Sequence, residues 1–172
     1  MIRFILTGMV LLGLQSVALA QIESEIFTIY LVRHAEKESV AKEPGNPPLS
    51  FCGELRAQAL VRILSDIGLD SIYSTPFERT LSTAQPIAQS KQLEIRIYDP
   101  SRLEKFSQLL LDTQRDALIV GHSNTTAVLA GLLAGESEEA FDEDIYDRLY
   151  QVVISGKQVR INLLHQSFHC EP

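Results

Sequence analysis

Two arginines and two histidines in this chain have the residue types and positions needed for phosphoryl chemistry. Arg33 and His34 stand side by side after an apolar run, Arg79 follows a second apolar run, and His122 follows a third. A guanidinium offers a planar set of donors that matches phosphate oxygens, and a neutral imidazole is a nucleophile for phosphorus. The sequence therefore predicts one anion site built from these four side chains.

The segments before these residues are predicted to place them at one edge of a sheet. The runs 26–32, 71–74 and 117–120 are rich in β-branched and aromatic residues, which is typical of buried strands. Open α/β sheets bind ligands at the carboxyl ends of their parallel strands, so the four side chains are expected to meet there. Taken singly, Arg79 also fits an exposed residue of a first helical turn, and His122 a hydrogen-bonded turn histidine.

The segment around Arg79 carries a helix start signal. Thr75 is predicted to be the N-cap, Pro76 the first helical residue and Glu78 the acid of a capping box. Arg79 then lies in the first helical turn, where the helix dipole and free amides favour an anion. After the third strand, Gly121 is predicted to permit a sharp turn.

Strands and helices are predicted to alternate along the chain. A further strand is expected near 93–98, and helices near 50–67, 76–90, 102–113 and 124–134. This alternation predicts an α/β fold of three layers, with a mainly parallel central sheet and helices on both faces. The last two apolar runs, 149–154 and 158–164, are joined through Ser155 and Gly156 and predict a C-terminal β-hairpin.

Four ordered motifs give the chain a resemblance to a known family. They read Leu31-Val-Arg33-His34-Ala35-Glu36, Leu49-Ser50 with Gly53 and Arg56-Ala57, Tyr73-Ser-Thr75-Pro76 with Arg79-Thr80, and Val120-Gly121-His122. On these motifs the chain resembles the phosphoglycerate-mutase-like branch of the histidine phosphatase superfamily, over nearly all residues beyond 25. Ala35 replaces the glycine that is usual after the nucleophile, which indicates a subfamily and leaves phosphate binding intact.

The resemblance implies a phosphoglycerate-mutase-like fold and a phosphomonoester phosphatase that forms a phosphohistidine on His34, with no metal or organic cofactor. It implies that Arg33, Arg79 and His122 bind the transferring phosphoryl group and stabilise its charge. The expected substrate is a small phosphorylated molecule of undetermined identity. The alternatives are a phosphatase of protein phosphohistidine and a non-catalytic envelope module that binds an anion.

The acid that protonates the leaving oxygen is the least determined part of the predicted site. In mutase-like relatives a glutamate follows the third strand, and Glu104 fits that spacing best. Glu104 also fits a solvated acid in the first turn of an amphipathic helix. The other candidates are Glu36, two residues after the nucleophile, Asp99, or no acid at all if the leaving group departs easily.

The first twenty residues are predicted to be a secretory signal peptide, followed by one catalytic domain over residues 21–172. Arg3 precedes the apolar stretch 4–14, and Ala18-Leu19-Ala20 is a small-x-small cleavage signal. The protein is therefore expected in the periplasm or secreted, without stable membrane insertion after cleavage. An anchor formed by an uncleaved N-terminal helix is the alternative. Cleavage removes one positive charge and no acid, which changes the net charge from −7 to −8.

Charge, cysteines and the remaining histidines limit other functions. The chain has 22 acidic residues against 15 Lys and Arg and no basic stripe, so it gives no support to nucleic-acid binding. Export allows a disulfide between Cys52 and Cys170, although a buried Cys52 and a free Cys170 fit equally well. No metal site is expected from His165, His169 and Cys170, because these residues end a strand and enter a tail.

Two segments are expected to lie outside the regular elements. Residues 38–48 contain three prolines, directly follow the nucleophile motif and are predicted to be a loop that borders the pocket. Residues 136–147 are strongly acidic and are predicted to be solvated surface, with repulsion of anionic partners as the alternative.

Overall fold

The computed structural model describes residues 25–39, 43 and 45–170, so the predicted signal peptide lies outside the described residues. Within the described ranges the elements are β1 (Ile26–Arg33), α1 (Phe51–Ile63), β2 (Ser71–Ser74), α2 (Glu78–Lys91), β3 (Ile95–Ile97), α3 (Leu103–Thr113), β4 (Ala117–Gly121), α4 (Thr126–Ala134), β5 (Arg148–Ser155) and β6 (Gln158–His165). No helix in this part of the chain is both long and apolar enough to cross a bilayer.

One six-stranded sheet runs through the molecule in the order β3-β2-β4-β1-β5-β6. The first four strands are parallel to their neighbours, whereas β5 pairs antiparallel with β1 and β6 pairs antiparallel with β5. The turn between β5 and β6 holds Gly156 at φ 58°, a left-handed conformation that glycine adopts without steric cost. The mainly parallel sheet and the C-terminal hairpin are both confirmed.

Helices cover both faces of the sheet, which confirms the three-layer prediction. Successive side chains of a strand point to opposite faces, and β1 shows this directly. Tyr30 and Val32 pack with Leu60 of α1 and with α2 in one core, while Ile29 and Leu31 pack with α3 and α4 in the other. The buried strands therefore hold the residues at their carboxyl ends in rigid positions.

Helix α1 begins with a side-chain cap and is joined to the C-terminal tail. The Ser50 hydroxyl accepts a hydrogen bond from the Gly53 amide at 3.2 Å, and the helix ends at Ile63, earlier than the predicted residue 67. Cys52 in the first turn forms a disulfide with Cys170 across 118 residues of sequence. Of the two interpretations of these cysteines, a disulfide or two unlinked thiols, the structure shows the disulfide.

Helix α2 begins at Glu78, so the predicted start at Pro76 with Thr75 as N-cap is wrong. Phe77 occupies the cap position and contributes no side-chain hydrogen bond. The Glu78 amide instead donates to Asn46 Oδ1 at 2.8 Å, which makes a residue of the predicted loop 38–48 the capping group. The local signal failed because the Thr75 hydroxyl is engaged in the site described below.

Gly121 ends β4 for a different reason from the predicted sharp turn. It does not adopt the left-handed conformation. A Cβ at this position would lie 2.6 Å from the Tyr98 hydroxyl and 2.8 Å from Thr125 Oγ1, both far inside normal contact distance. Glycine is therefore needed here so that β4 can approach its neighbours closely just before His122.

Candidate active site

A cavity of about 550 Å³ lies at the carboxyl edge of the parallel strands, within the size range of small-molecule sites. The structure brings together all four residues predicted to form the anion site. The described residues that line the cavity are Arg33, His34, Lys37, Phe77, Arg79, Pro100, Ser101, His122, Ser123, Asn124, Thr125 and Glu143. They come from the ends of β1 and β4, the start of α2, the turns before α3 and α4, and the segment between α4 and β5.

His34 is held as a neutral imidazole at the base of this cavity. Its Nδ1 lies 2.8 Å from the Ala35 carbonyl oxygen, so Nδ1 donates and Nε2 keeps its lone pair. Burial lowers the pKa of His34 to about 3, and the charges of Arg33 and Arg79 act in the same direction. The Ala35 amide in turn donates to Thr83 Oγ1 at 3.0 Å, which fixes the backbone that carries the ring. A histidine in this state is an available nucleophile at neutral pH.

Arg79 presents unused donors to the cavity from the first turn of α2. Its Nε and Nη1 are buried and have no hydrogen-bond partner among the described residues. The guanidinium lies over the Phe77 ring, 4.6 Å from its centroid, and burial followed by the nearby charge of Arg33 lowers the pKa of Arg79. Buried donors without partners are costly, and an anion in the cavity would satisfy them.

His122 is oriented by a chain of two threonine hydroxyls. Thr80 Oγ1 donates to the carbonyl oxygens of Thr75 and Phe77, at 3.0 and 2.8 Å, and so accepts from Thr75 Oγ1 at 2.8 Å. Thr75 Oγ1 must then accept from His122 Nε2, at 3.0 Å. This assigns the proton of the neutral ring to Nε2 and leaves Nδ1 unprotonated. Burial lowers the pKa of His122 to about 4, with Arg79 and Arg33 contributing.

Arg33 anchors a neighbouring segment as well as lining the cavity. It is 3% exposed, and its Nη1 donates to the carbonyl oxygens of Glu143 and, at 3.0 Å, of Ile145. Its guanidinium lies 4.1 Å from the centroid of the Tyr146 ring. Arg33 Nε is buried and has no partner in the described part of the chain, so this donor remains for an anion. Burial lowers the pKa of Arg33 despite the nearby acidic groups.

The acidic segment 136–147 is only partly the solvated surface that its composition predicts. The Arg33 guanidinium donates hydrogen bonds to two backbone carbonyl oxygens of this segment, and the Phe141 amide donates to the Ser123 carbonyl at 3.2 Å. Glu143 consequently lines the cavity, and its carboxylate lies 3.5 Å from Lys37 Nζ. Sequence analysis singled out neither Glu143 nor Lys37. No local signal distinguishes Glu143 from its acidic neighbours, because 106 residues separate it from Lys37.

The structure does not bring Glu104 to the cavity. Glu104 is exposed in the first turn of α3 and is not among the lining residues, which corresponds to the solvated alternative. Asp99 is also exposed and outside the lining. Hydrogen bonds from the Ser101 hydroxyl and amide hold the pKa of Asp99 below its usual value, which opposes a role as proton donor.

Glu36 has a structural partner instead of a place in the cavity. Arg56 donates to it from Nε at 3.0 and 2.9 Å and from Nη2 at 2.6 Å, a fork of hydrogen bonds to both carboxylate oxygens. The Glu36 carbonyl accepts from the Ser50 amide at 2.9 Å, and a Cβ on Gly53 would lie 2.1 Å from the same oxygen. Glu36, Arg56 and Gly53 thus fasten the segment after His34 to α1.

The remaining histidines lie away from the cavity. His165, at the end of β6, has Nδ1 2.8 Å from Asp147 Oδ2 on the surface, and Cys170 is held in the disulfide. Within the described ranges no group of three or more His, Cys, Asp or Glu residues is arranged to hold a metal ion.

Comparison with known proteins supports the family suggested by the motifs. Residues 29–100 match the sequence model of the histidine phosphatase superfamily (branch 1). Over 71 residues the chain is 45% identical to phosphoserine phosphatase 1 of Hydrogenobacter thermophilus, an alignment that covers 39% of this chain and 34% of that protein. The chain thus aligns with about a third of the length of this curated relative.

Solved structures show the same fold at low sequence identity. The α-ribazole phosphatase from Shigella flexneri superposes with a TM-score of 0.66 and 17% identity, covering 84% of this chain and 100% of that one. The protein histidine phosphatase SixA complexed with tungstate gives a TM-score of 0.66 and 15% identity, covering 81% and 97%. The segment that matches the superfamily model contains His34 and Arg79, and the fold of the described residues is the one seen in these phosphatase structures.

Proposed function

We propose that this protein is a phosphomonoester phosphatase that transfers the phosphoryl group to His34 and then to water. The observation that carries the proposal is the state of His34, a buried neutral ring whose Nδ1 is held by a carbonyl. Among the described residues, His34 Nε2 and the buried Nε and Nη1 of Arg79 have no hydrogen-bond partner. A nucleophile next to unsatisfied cationic donors is the arrangement that phosphoryl transfer requires.

The proposed reaction has two steps at the same atom. His34 Nε2 attacks phosphorus, the bond from phosphorus to the leaving oxygen breaks, and that oxygen takes a proton from solvent water to become an alcohol. Water then attacks the phosphohistidine, releasing inorganic phosphate and restoring the neutral ring. Arg79 Nε and Nη1 and Arg33 Nε are the donors available to the phosphoryl oxygens in both steps.

His122 is proposed to become a cation when the phosphoryl group is bound. Its Nε2–H stays on Thr75, so only Nδ1 can serve the substrate. A phosphoryl dianion beside the ring favours the protonated form and raises the pKa of His122, after which Nδ1 donates to a phosphoryl oxygen. The proton that His122 takes from solution on binding then lies beside the phosphoryl oxygens, where negative charge develops in the transition state.

A phosphatase of phosphohistidine in proteins is the second candidate. It is favoured by the positions of Glu104, Glu36 and Asp99, none of which lies in the cavity lining, because a phosphohistidine has a leaving group that departs more easily than an alkoxide. The structure complexed with tungstate carries the name of such an enzyme. A comparison of a phosphohistidine peptide with an alkyl phosphate separates the two candidates.

Turnover in a chelator and trapping of the intermediate test the principal proposal. We expect hydrolysis of nitrophenyl phosphate to survive chelation, because the charge in the site comes from arginines. A rapid quench should show an acid-labile, base-stable phosphoryl adduct on His34. His34→Ala should lose the adduct and nearly all turnover, whereas the matched control His165→Ala should keep both. Activity that disappears with the chelator and returns with a divalent metal would contradict the proposal.

The location of the enzyme is proposed to be outside the cytoplasm, in the periplasm or secreted. The predicted signal peptide over residues 1–20 supports this, and so does the disulfide between Cys52 and Cys170, a bond that persists in oxidising compartments.

A further inference from the structure

We propose that Lys37 and Glu143 form a charge-reading subsite that selects substrates whose leaving group carries both a cation and an anion, as an amino acid does. This inference rests on the proposed phosphatase function, and it names the substrate class as phosphate esters of zwitterionic alcohols. Lys37 takes the carboxylate of the leaving group, and Glu143 takes its ammonium.

The two charges share the cavity with the phosphoryl site but lie nearer to solvent. Lys37 Nζ and Glu143 Oε2 are 3.5 Å apart, with side chains 36% and 78% exposed, whereas His34 is only 3% exposed. Both charges act on His122 strongly enough to influence its pKa, which places them within electrostatic range of the phosphoryl pocket. In the proposal, the leaving group of a phosphate ester bound on Arg79 extends toward this more exposed pair.

The backbones under both side chains are fixed, so the subsite is formed before a ligand arrives. Lys37 pairs with Leu49 in an isolated antiparallel bridge, three residues after His34. Glu143 is held through its carbonyl oxygen by the buried guanidinium of Arg33. A fixed backbone below a solvent-accessible charged end lets each side chain leave its partner without disturbing the phosphoryl site.

Charge balance favours a zwitterion over a leaving group with one charge. Among the described lining residues, Lys37 is the single cation and Glu143 the single carboxylate beyond the four residues of the phosphoryl site. An exposed ion pair is weak, so exchanging it costs little. A zwitterionic leaving group replaces one ion pair by two. A purely anionic or cationic group leaves Glu143 or Lys37 without a partner.

The test measures kcat/KM for four alkyl phosphates that share a leaving-group chemistry and differ in charge. Glycerol phosphate is neutral in its leaving group, phosphoethanolamine is cationic, phosphoglycolate is anionic and phosphoserine is zwitterionic. Glu143→Gln and Lys37→Gln are compared with Asp144→Asn and Lys157→Gln, which make the same charge changes outside the cavity lining. Normalising each rate to that of glycerol phosphate removes effects on folding and on the phosphoryl site.

We expect phosphoserine to be the best of the four substrates for the wild type. Glu143→Gln should lower the normalised rate of phosphoserine and phosphoethanolamine by about fivefold, or ~1 kcal/mol, and leave phosphoglycolate no worse. Lys37→Gln should lower phosphoserine and phosphoglycolate by a similar factor. The two control variants should change none of the ratios.

Two outcomes would overturn the subsite. Ratios that stay the same in both variants would show that the pair does not read the leaving group. An equal loss on all four alkyl phosphates in Glu143→Gln, with nitrophenyl phosphate spared, would assign Glu143 to proton transfer instead. Failure of the proposed function itself is distinguishable, because the wild type would then hydrolyse none of these substrates and form no adduct on His34.

Discussion

Replacement of Arg79 by lysine keeps a positive charge at the start of α2 and removes the fork of donors. In the structure two of those donors, Nε and Nη1, are buried without partners among the described residues. Lysine carries a single ammonium on a flexible stem and cannot reproduce two parallel contacts to a phosphoryl group. The substitution therefore isolates hydrogen-bond geometry from net charge.

The expected loss follows from counting the donors. A hydrogen bond to a charged group contributes about 1.5–3 kcal/mol, and lysine forfeits one of the two. The corresponding decrease in kcat/KM is about 10- to 150-fold, with a central expectation of about 10². Arg79→Met should lose more, because it also removes the charge that the transition state requires.

The thermal stability of Arg79→Met should not fall with its activity. Arg79 is half-buried beside the like charge of Arg33, and both effects lower the pKa of Arg79. Arg79→Met removes unpaired donors and the repulsion between the two guanidinium groups. We therefore expect its Tm to equal or exceed that of the wild type while its activity falls to near zero, because residues placed for function often lower the stability of the free protein.

The assay is initial-rate kinetics on nitrophenyl phosphate, whose leaving group needs no proton, with Tm measured on the same samples. Arg115→Lys is the matched control because Arg115 is exposed and paired with Asp70 at 3.9 Å. It precedes β4 and therefore lies at the edge of the sheet opposite the cavity. Arg115→Lys should retain full activity. Full activity in Arg79→Lys would refute the assignment of Arg79 to phosphoryl binding.

Three further predictions concern acid stability, the disulfide and export. The pKa values of His34 and His122 fall from 6.5 to about 3 and about 4 on folding, so both rings stabilise the fold above pH 6.5 and this contribution is lost as the pH falls toward those values. Urea unfolding should show stability decreasing from pH 6.5 to 4, less steeply in His122→Asn; an identical slope in that variant would contradict the assigned shift. Cys52→Ser opens a loop of 118 residues and should lower the free energy of unfolding by about 2–5 kcal/mol, an effect that reductant reproduces in the wild type and not in the variant. N-terminal sequencing of protein exported by a bacterial host should begin directly after residue 20, and recovery of the intact N-terminus would favour the membrane anchor.

Local sequence was sufficient to predict the elements and the four central residues of the candidate site. Buried strands are marked by runs of β-branched residues, and residues directly after parallel strands meet at one edge whatever the details of packing. Arg33, His34 and His122 were found in this way, and Arg79 from its place in a first helical turn. The three-layer order followed from the alternation of strands and helices, because a parallel sheet must be covered on both faces.

Predictions that depended on a single polar group were less successful. Thr75 has the side chain of a good N-cap, but its hydroxyl lies between Thr80 and His122 in the folded protein. Gly121 is required because Tyr98 and Thr125 crowd its Cα, not because of its backbone angles. In both positions one competing contact comes from a distant segment, His122 for Thr75 and Tyr98 for Gly121, and a local pattern contains no information about it.

The sequence by itself determined the α/β order, the nucleophile motif and the arginine in the first turn of α2, because periodicity and strand ends are local properties. Only the tertiary structure decided which carboxylates belong to the cavity. Glu36 is hydrogen-bonded to Arg56, and Glu104 faces solvent. Glu143 lines the cavity because Arg33 binds its backbone carbonyl. These outcomes depend on contacts between residues up to 110 positions apart, and the energy of such contacts arises only when the sheet has assembled.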